Sequence, residues 1–158
     1  MPKITPFLWF DTQAKDAAEL YVSIFPNSRI RDVSYYSEGM PAPAGSVMVV
    51  EFELDGQVFQ ALNAGPHFKF DEAISFMIDC ADQAEVDYYW EKLLSGGGTE
   101  SQCGWLKDRF GLSWQVTPRR LTALMADPDK AKAGRVAAAM MQMVKIDIAK
   151  LEAAAEAA

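Results

Sequence analysis

The chain has 158 residues, 50% of them hydrophobic, with 15 Lys and Arg against 22 Asp and Glu and a formal net charge of −7. That balance excludes the concentrated basic face that nucleic acid or an anionic membrane surface requires, and no apolar run approaches the roughly 20 residues of a membrane span. Two cysteines, Cys80 and Cys103, are too few for a disulfide framework, and the opening Met-Pro-Lys-Ile-Thr-Pro lacks the apolar core of a signal peptide, so reduced thiols in the cytoplasm are expected.

Ile4–Phe10 is a β-rich run, followed by Asp11 or Thr12 as a helix cap. Ala14, Ala17, Ala18, Tyr21, Val22 and Phe25 then recur at helical spacing as one apolar stripe, which Pro26-Asn27 stops. Arg29–Ser37 reads as a strand and Glu38–Gly45 as a loop. Ser46–Leu54 and Gln57–Asn63 make a hairpin around Asp55-Gly56, a type I′ turn signal. After Ala64–Phe70 the pattern restarts. Ala73–Asp79 is a strand, and Asp79 or Asp82 caps a helix with the stripe Val86, Tyr89, Trp90, Leu93 and Leu94, ended by Gly96-Gly97-Gly98. The helices superpose at an offset of about 68 positions, which predicts two copies of one module rather than a solenoid array.

Gln102–Pro118 is the densest stretch in chemistry. It reads as two strands around the turn Asp108-Arg109-Phe110-Gly111, with Gly where a positive φ is easiest to adopt. Cys103, Trp105 and Lys107 alternate along the first strand. Ser113, Gln115 and Thr117 alternate against Leu112, Trp114 and Val116 along the second, so one face meets a core and the other meets water or a ligand. Beyond Pro118 the chain is helical: a short segment over Arg119–Met125, a cap at Asp127-Pro128, and one long helix from about Asp129 to Ala157.

With the repeated module and Cys103–Pro118 in hand, the chain resembles the PhnB-like branch of the glyoxalase/bleomycin-resistance/dioxygenase (vicinal oxygen chelate) superfamily, whose members often carry the label 3-demethylubiquinone-9 3-methyltransferase. The opening Thr5–Phe10, the hairpin Phe52–Asn63 with Gly65-Pro66, and the tail Met143–Ile148 share the resemblance. It implies an α+β fold in which duplicated βαβββ modules form a curved mixed sheet around a cavity, with a C-terminal helix, and a homodimer. The expected organisation is a single domain over 1–158, with a first module over 1–66, a second over 67–118 and a helical tail over 119–158.

The superfamily's enzymes hold a divalent metal through four strand positions. By the resemblance these fall on Thr5, Ala73, Gln60 and Gln115. Thr and Ala supply no imidazole and amides are weak neutral ligands, so no metal residue and no cofactor are assigned. The methyltransferase label meets a second objection, because Gly96–Gly98 follows a helix and precedes a strand, the reverse of a nucleotide-cradling turn.

The expected ligand-binding residues are Phe7, Trp9, Gln60, Ser75, Met77, Cys103, Trp105, Arg109 and Gln115. Phe7 and Trp9 share one face, as do Ser75 and Met77; with Trp105 they form an aromatic wall, or simple core. The amides of Gln60 and Gln115 orient a polar ligand or pair with neighbours. Three residues are candidates for catalysis. His67 suits general-base work, Cys103 is a thiol near the Lys107 cation, and Asp108 joins Arg109 to clamp an anion or to hold its own turn. Two functions follow: a metal-free aromatic pocket binding a small organic molecule, or an enzyme of the same superfamily, of lyase, isomerase, dioxygenase or methyltransferase type.

Overall fold

A computed structural model describes residues 2–157, and the chain divides into two compact units with the boundary between Lys69 and Phe70. In the first unit, β1 (Phe7–Phe10) leads to α1 (Ala14–Ile24), then β2 (Arg29–Tyr35), β3 (Val47–Leu54) and β4 (Gln57–Asn63). The strands form one sheet in the order β1-β4-β3-β2, with β1 parallel to β4 and the other pairs antiparallel. Asp55 and Gly56 both take positive φ, 47° and 83°, as the type I′ signal predicts.

Alternation along the strands sorts the side chains. Leu8, Phe10, Val50, Phe52, Leu54, Phe59 and Ala61 are buried on the face that α1 covers with Ala14, Ala17, Ala18, Tyr21 and Ile24. Phe52 opposes Phe59 across the hairpin, with their rings stacked at 5.4 Å. The cap expected at Asp11 or Thr12 is not made. Gln13 is the N-cap and makes no side-chain cap bond; Asn63 Oδ1, at the end of β4, accepts the Ala14 N–H at 2.9 Å. β1 also starts later than expected, so Thr5 lies outside the strand and exposed.

The second unit repeats the plan with β5 (Ser75–Cys80), α2 (Gln83–Leu94), β6 (Thr99–Glu100), β7 (Trp105–Lys107) and β8 (Ser113–Pro118). Its sheet runs β5-β8-β7-β6 with β5 parallel to β8, each strand taking the place of its counterpart in the first sheet. The architecture is therefore α+β, with a duplicated module and two four-stranded mixed sheets, neither closed into a barrel. Asp82, not Asp79, caps α2 by accepting the Glu85 N–H at 2.9 Å, and Val86, Tyr89, Trp90 and Leu93 are buried. Ala73 precedes β5 and is exposed.

Two expectations are corrected here. Cys103 does not alternate along a strand: with φ of 60° it sits in a turn before β7, next to Gly104 at 83°. The single helix expected over 129–157 is instead α4 (Lys130–Met140) and α5 (Ile148–Glu156), which follow α3 (Arg119–Met125). The break has a physical cause. Cys103 N–H donates to the Met143 carbonyl at 2.8 Å and Gly104 N–H to the Val144 carbonyl at 2.7 Å, bonds a continuing helix would forbid. Asp147 then caps α5 through the Lys150 N–H. Leu121, Leu124, Val136, Met143, Ile146, Leu151 and Ala155 make one buried cluster.

Side chains on α2 hold the break in place. Gln83 Nε2 donates to Asp87 Oδ1 and to the Ile146 carbonyl, both at 3.0 Å, while Gln83 Oε1 accepts the Ile148 N–H. Lys145 lies 2.7 Å from Asp87. Hydrogen bonding from Lys145, then from Gln83, holds the Asp87 carboxyl below the usual aspartate range. A depressed folded-state pKa contributes stability above the unfolded value, about 4, and loses it as pH falls through the folded value. The stability difference between the natural chain and Lys145→Met, read by urea melts across pH, should be largest near neutrality and close in acid.

Candidate functional site

On the sheet face turned away from α1, register lines up chemistry in rows. Phe7 opposes Gln60, and Gln60 opposes Glu51. Across the irregularity between Ile30 and Asp32, where Asp32 is the register partner of Glu51, the Arg31 Nη1 lies 3.8 Å from Glu51 Oε1. The next row is Trp9, Leu62 and Val49. Phe7, Trp9 and Gln60 thus share one face, as the alternation predicts. Glu51 joins this face as well, because the run Val50-Glu51-Phe52-Glu53-Leu54 places it opposite the apolar set.

Trp9 anchors the segment beyond β4. Its indole N–H donates to the Gly65 carbonyl at 2.9 Å, and it meets Phe68 and His67 edge-on, at centroid distances of 4.9 and 6.5 Å. Gly65 has φ of 92°, and a Cβ there would stand 3.3 Å from His67 Nε2. Glycine is therefore what lets the imidazole lie close over this backbone.

Beside that imidazole the first unit contains a cavity of ≈ 660 Å³, lined in part by Asp11, Tyr36, Pro43, Val47, Asn63 and His67. The 36–46 loop forms one wall and closes on itself, Tyr36 N–H donating to the Ser46 carbonyl and Gly45 N–H to the Tyr36 carbonyl, both at 2.8 Å. The Tyr36 hydroxyl donates to the Asn63 carbonyl. Asn63 Nδ2 donates to the Val47 carbonyl at 3.2 Å while its Oδ1 caps α1. One asparagine thus ties the start of α1, the start of β3 and the end of β4 into the cavity's floor. Of the sequence-predicted residues, only His67 lines it. Tyr36 and Asn63 carried no local signal, since each acts through a partner distant in sequence.

In the second unit Ser75, Met77, Gln115 and Trp105 share the face turned from α2. Met77 opposes Gln115, which opposes Trp105, and Gln115 Nε2 donates to Ser75 Oγ at 2.9 Å. The other candidates lie elsewhere. Asp108 is 3% exposed, its Oδ1 accepting the Phe110 and Leu112 N–H groups and its Oδ2 the Trp114 indole N–H. The Arg109 guanidinium covers the Phe110 ring at 4.9 Å. Cys103 is half-buried and its backbone serves the C-terminal segment. Burial pushes the Cys80 thiol up to about 12, which keeps it protonated and inert.

No three His, Cys, Asp or Glu side chains converge as a metal-holding group among the described residues. The superfamily's metal positions, as the resemblance implies them, hold Gln60, Gln115, the exposed Thr5 and the exposed Ala73; alanine has no donor atom, and two amides with a hydroxyl do not fit a tightly held divalent ion. Among the described residues no helix is long and apolar enough to cross a membrane.

The family model for 3-demethylubiquinone-9 3-methyltransferase matches residues 2–117. Among solved structures, the PhnB protein from Bacillus cereus is 33% identical, with a TM-score of 0.68 over 74% of this chain and 99% of that one. A protein from Pseudomonas aeruginosa is 19% identical, with a TM-score of 0.60 over 75% and 98%. The fosfomycin resistance protein FosX from Listeria monocytogenes shares the fold at 13% identity, with a TM-score of 0.51 over 75% and 93%. No curated protein matches the sequence.

Proposed function

The chain belongs to the PhnB-like 3-demethylubiquinone-9 3-methyltransferase family of the glyoxalase/bleomycin-resistance/dioxygenase superfamily, and from that membership we propose a cytoplasmic, homodimeric protein that binds a small organic molecule without a metal. The cavity of the first unit carries the reading. Its ≈ 660 Å³ lies within the range of about 300–1,000 Å³ typical of small-molecule sites. Its walls combine prolines, Val47 and Ala64 with a few convergent polar groups: the Tyr36 phenol, the Asn63 amide, the Asp11 carboxylate and the His67 imidazole. That composition suits a molecule with an apolar body and one or two polar handles.

Native mass spectrometry of protein purified without chelator tests the proposal. A dimer carrying an organic adduct and no metal is the expected result. One divalent ion per chain would overturn the metal-free reading, and a monomer the homodimer.

The place of His67 favours a second reading, in which the same cavity performs proton transfer on what it binds. His67→Ala separates the two. A binder should lose affinity by about tenfold, the value of one good contact, with no reaction to lose. An enzyme using the imidazole as acid or base should lose about 10²- to 10⁴-fold in turnover. Affinity for the adduct identified by mass spectrometry, and its conversion over hours, are the two readouts.

A further inference from the structure

We infer that the second unit holds a separate binding site for a small organic carboxylate, built on Lys107 and the Ser113 hydroxyl and occupied in its ligand-free state by the side chain of Glu72. A cavity of ≈ 190 Å³ lies here, lined in part by Glu72, Thr99, Ser101, Trp105, Lys107 and Ser113. At about 30 Å³ per water in the liquid, it takes about six water-sized groups, the size of a carboxylate on a short carbon chain.

Three observations select that chemistry. Ser113 is 0% exposed and its Oγ has no hydrogen-bond partner. Buried hydroxyls are normally satisfied, so an orphaned one lining a cavity marks a place for a ligand oxygen. Register then puts a cation beside it, since Lys107 opposes Ser113 on one side and Thr99 on the other, giving a row of hydroxyl, ammonium and hydroxyl across three strands. Finally, Lys107 already holds a carboxylate, that of Glu72, and this hydrogen bond is the main reason the Glu72 carboxyl stays below the usual glutamate range.

Glu72 belongs to the segment just before β5, not to the sheet. Its side chain is 62% exposed and that of Lys107 36%, so the pair is one that solvent screens and a competing anion displaces readily. The other carboxylate at the cavity, Glu100, is engaged by the Trp90 indole N–H at 2.8 Å. Once Glu72 swings out, Lys107 is left with an unmatched charge and Ser113 with an unmatched hydroxyl, and one incoming carboxylate satisfies both. Trp105 supplies an apolar side for its carbon chain.

The test is a titration of the full-length protein with propionate, followed by amide and indole NMR, with propionamide as the uncharged control. Saturable shifts at the Ser113 amide and the Trp105 indole are expected for propionate and not for propionamide. Glu72→Gln should tighten binding by about three- to fivefold, because it removes the internal competitor. Ser113→Ala should weaken it by about tenfold, and Lys107→Met should abolish it while leaving the spectrum dispersed. Non-saturating shifts, equal response to propionamide, or weaker binding by Glu72→Gln would each overturn the proposal. Glu72 is on the surface, so its variant remains informative if a strand substitution fails to fold. These results do not depend on the first unit's cavity.

Discussion

Asp108→Ala should lower the unfolding free energy by about 3–5 kcal/mol, enough to leave a domain of ordinary stability marginal at 25 °C. The carboxylate is the hub of its turn. Its Oδ1 accepts the Phe110 N–H at 2.9 Å and the Leu112 N–H at 3.1 Å, and its Oδ2 accepts the Trp114 indole N–H at 2.9 Å, all at 3% exposure. Alanine strands the Leu112 and Trp114 donors away from water, at roughly 1–3 kcal/mol each before relaxation, and adds the smaller loss of the part-buried Phe110 bond. Trp114 adds leverage, because it is itself buried, tilted against Phe76 at 5.7 Å, and part of the face that α2 covers.

Asp108→Asn should lose roughly half as much, since it keeps an oxygen for the two backbone groups but can set an NH₂ against the indole N–H. Adding Trp114→Phe should then be less than additive, because the opposed donors are gone. Urea melts followed by tryptophan fluorescence measure the natural chain, the two Asp108 variants, Trp114→Phe alone and the double variant. A loss below about 1 kcal/mol for Asp108→Ala would mean that the carboxylate is not committed to the turn, and would return Asp108 to the catalytic candidates.

Asp108 also shows where the sequence is legible and where it stops. The turn Asp108–Gly111 is local, and its glycine takes φ of 90°, so a four-residue pattern was enough to place it. Helix stripes and strand alternation are equally local. They gave α1, α2, both faces of β3 and β4, and the repeat of the two modules. What they do not contain is any term for contacts distant in sequence. The cap of α1 comes from Asn63, 49 positions on from Ala14, and the floor of the larger cavity from the same residue. No pattern around Asp11 or Thr12 reveals that a better acceptor arrives from another strand.

The same limit explains the C-terminal region. The composition of 129–157 favours helix throughout, and local propensity alone predicts one helix. The interruption between Met140 and Ile148 is set by what the 102–104 turn offers, namely the Cys103 and Gly104 N–H groups that donate to the Met143 and Val144 carbonyls. For the candidate site the pattern was mixed. Phe7, Trp9 and Gln60 fall on one face, and Ser75, Met77, Trp105 and Gln115 on another, because period two is enough to assign a face. Cys103, Asp108 and Arg109 do not join them, because a turn re-aims its side chains in ways that alternation cannot represent.

Gly104→Ala tests that docking and should cost about 2–4 kcal/mol. Gly104 has φ of 83°, and a Cβ there would come 2.9 Å from Ile146 Cγ1 and 3.0 Å from the Val116 carbonyl oxygen. The first neighbour is a fully buried side chain of the C-terminal cluster and the second is backbone of β8, so neither yields freely. Gly111 is the natural control. It has nearly the same φ, 90°, but nothing within 4 Å of its hypothetical Cβ, so Gly111→Ala carries only the conformational penalty of about 1–2 kcal/mol. The difference between the two variants isolates the crowding against Ile146 and Val116. Hydrogen exchange gives it a location. In Gly104→Ala the amides of residues 103 and 104, which donate to Met143 and Val144, should lose protection before those of β5 and β8 do. Equal losses for the two alanines, with protection at residues 103 and 104 unchanged, would mean that the segment between α4 and α5 is not held by this turn.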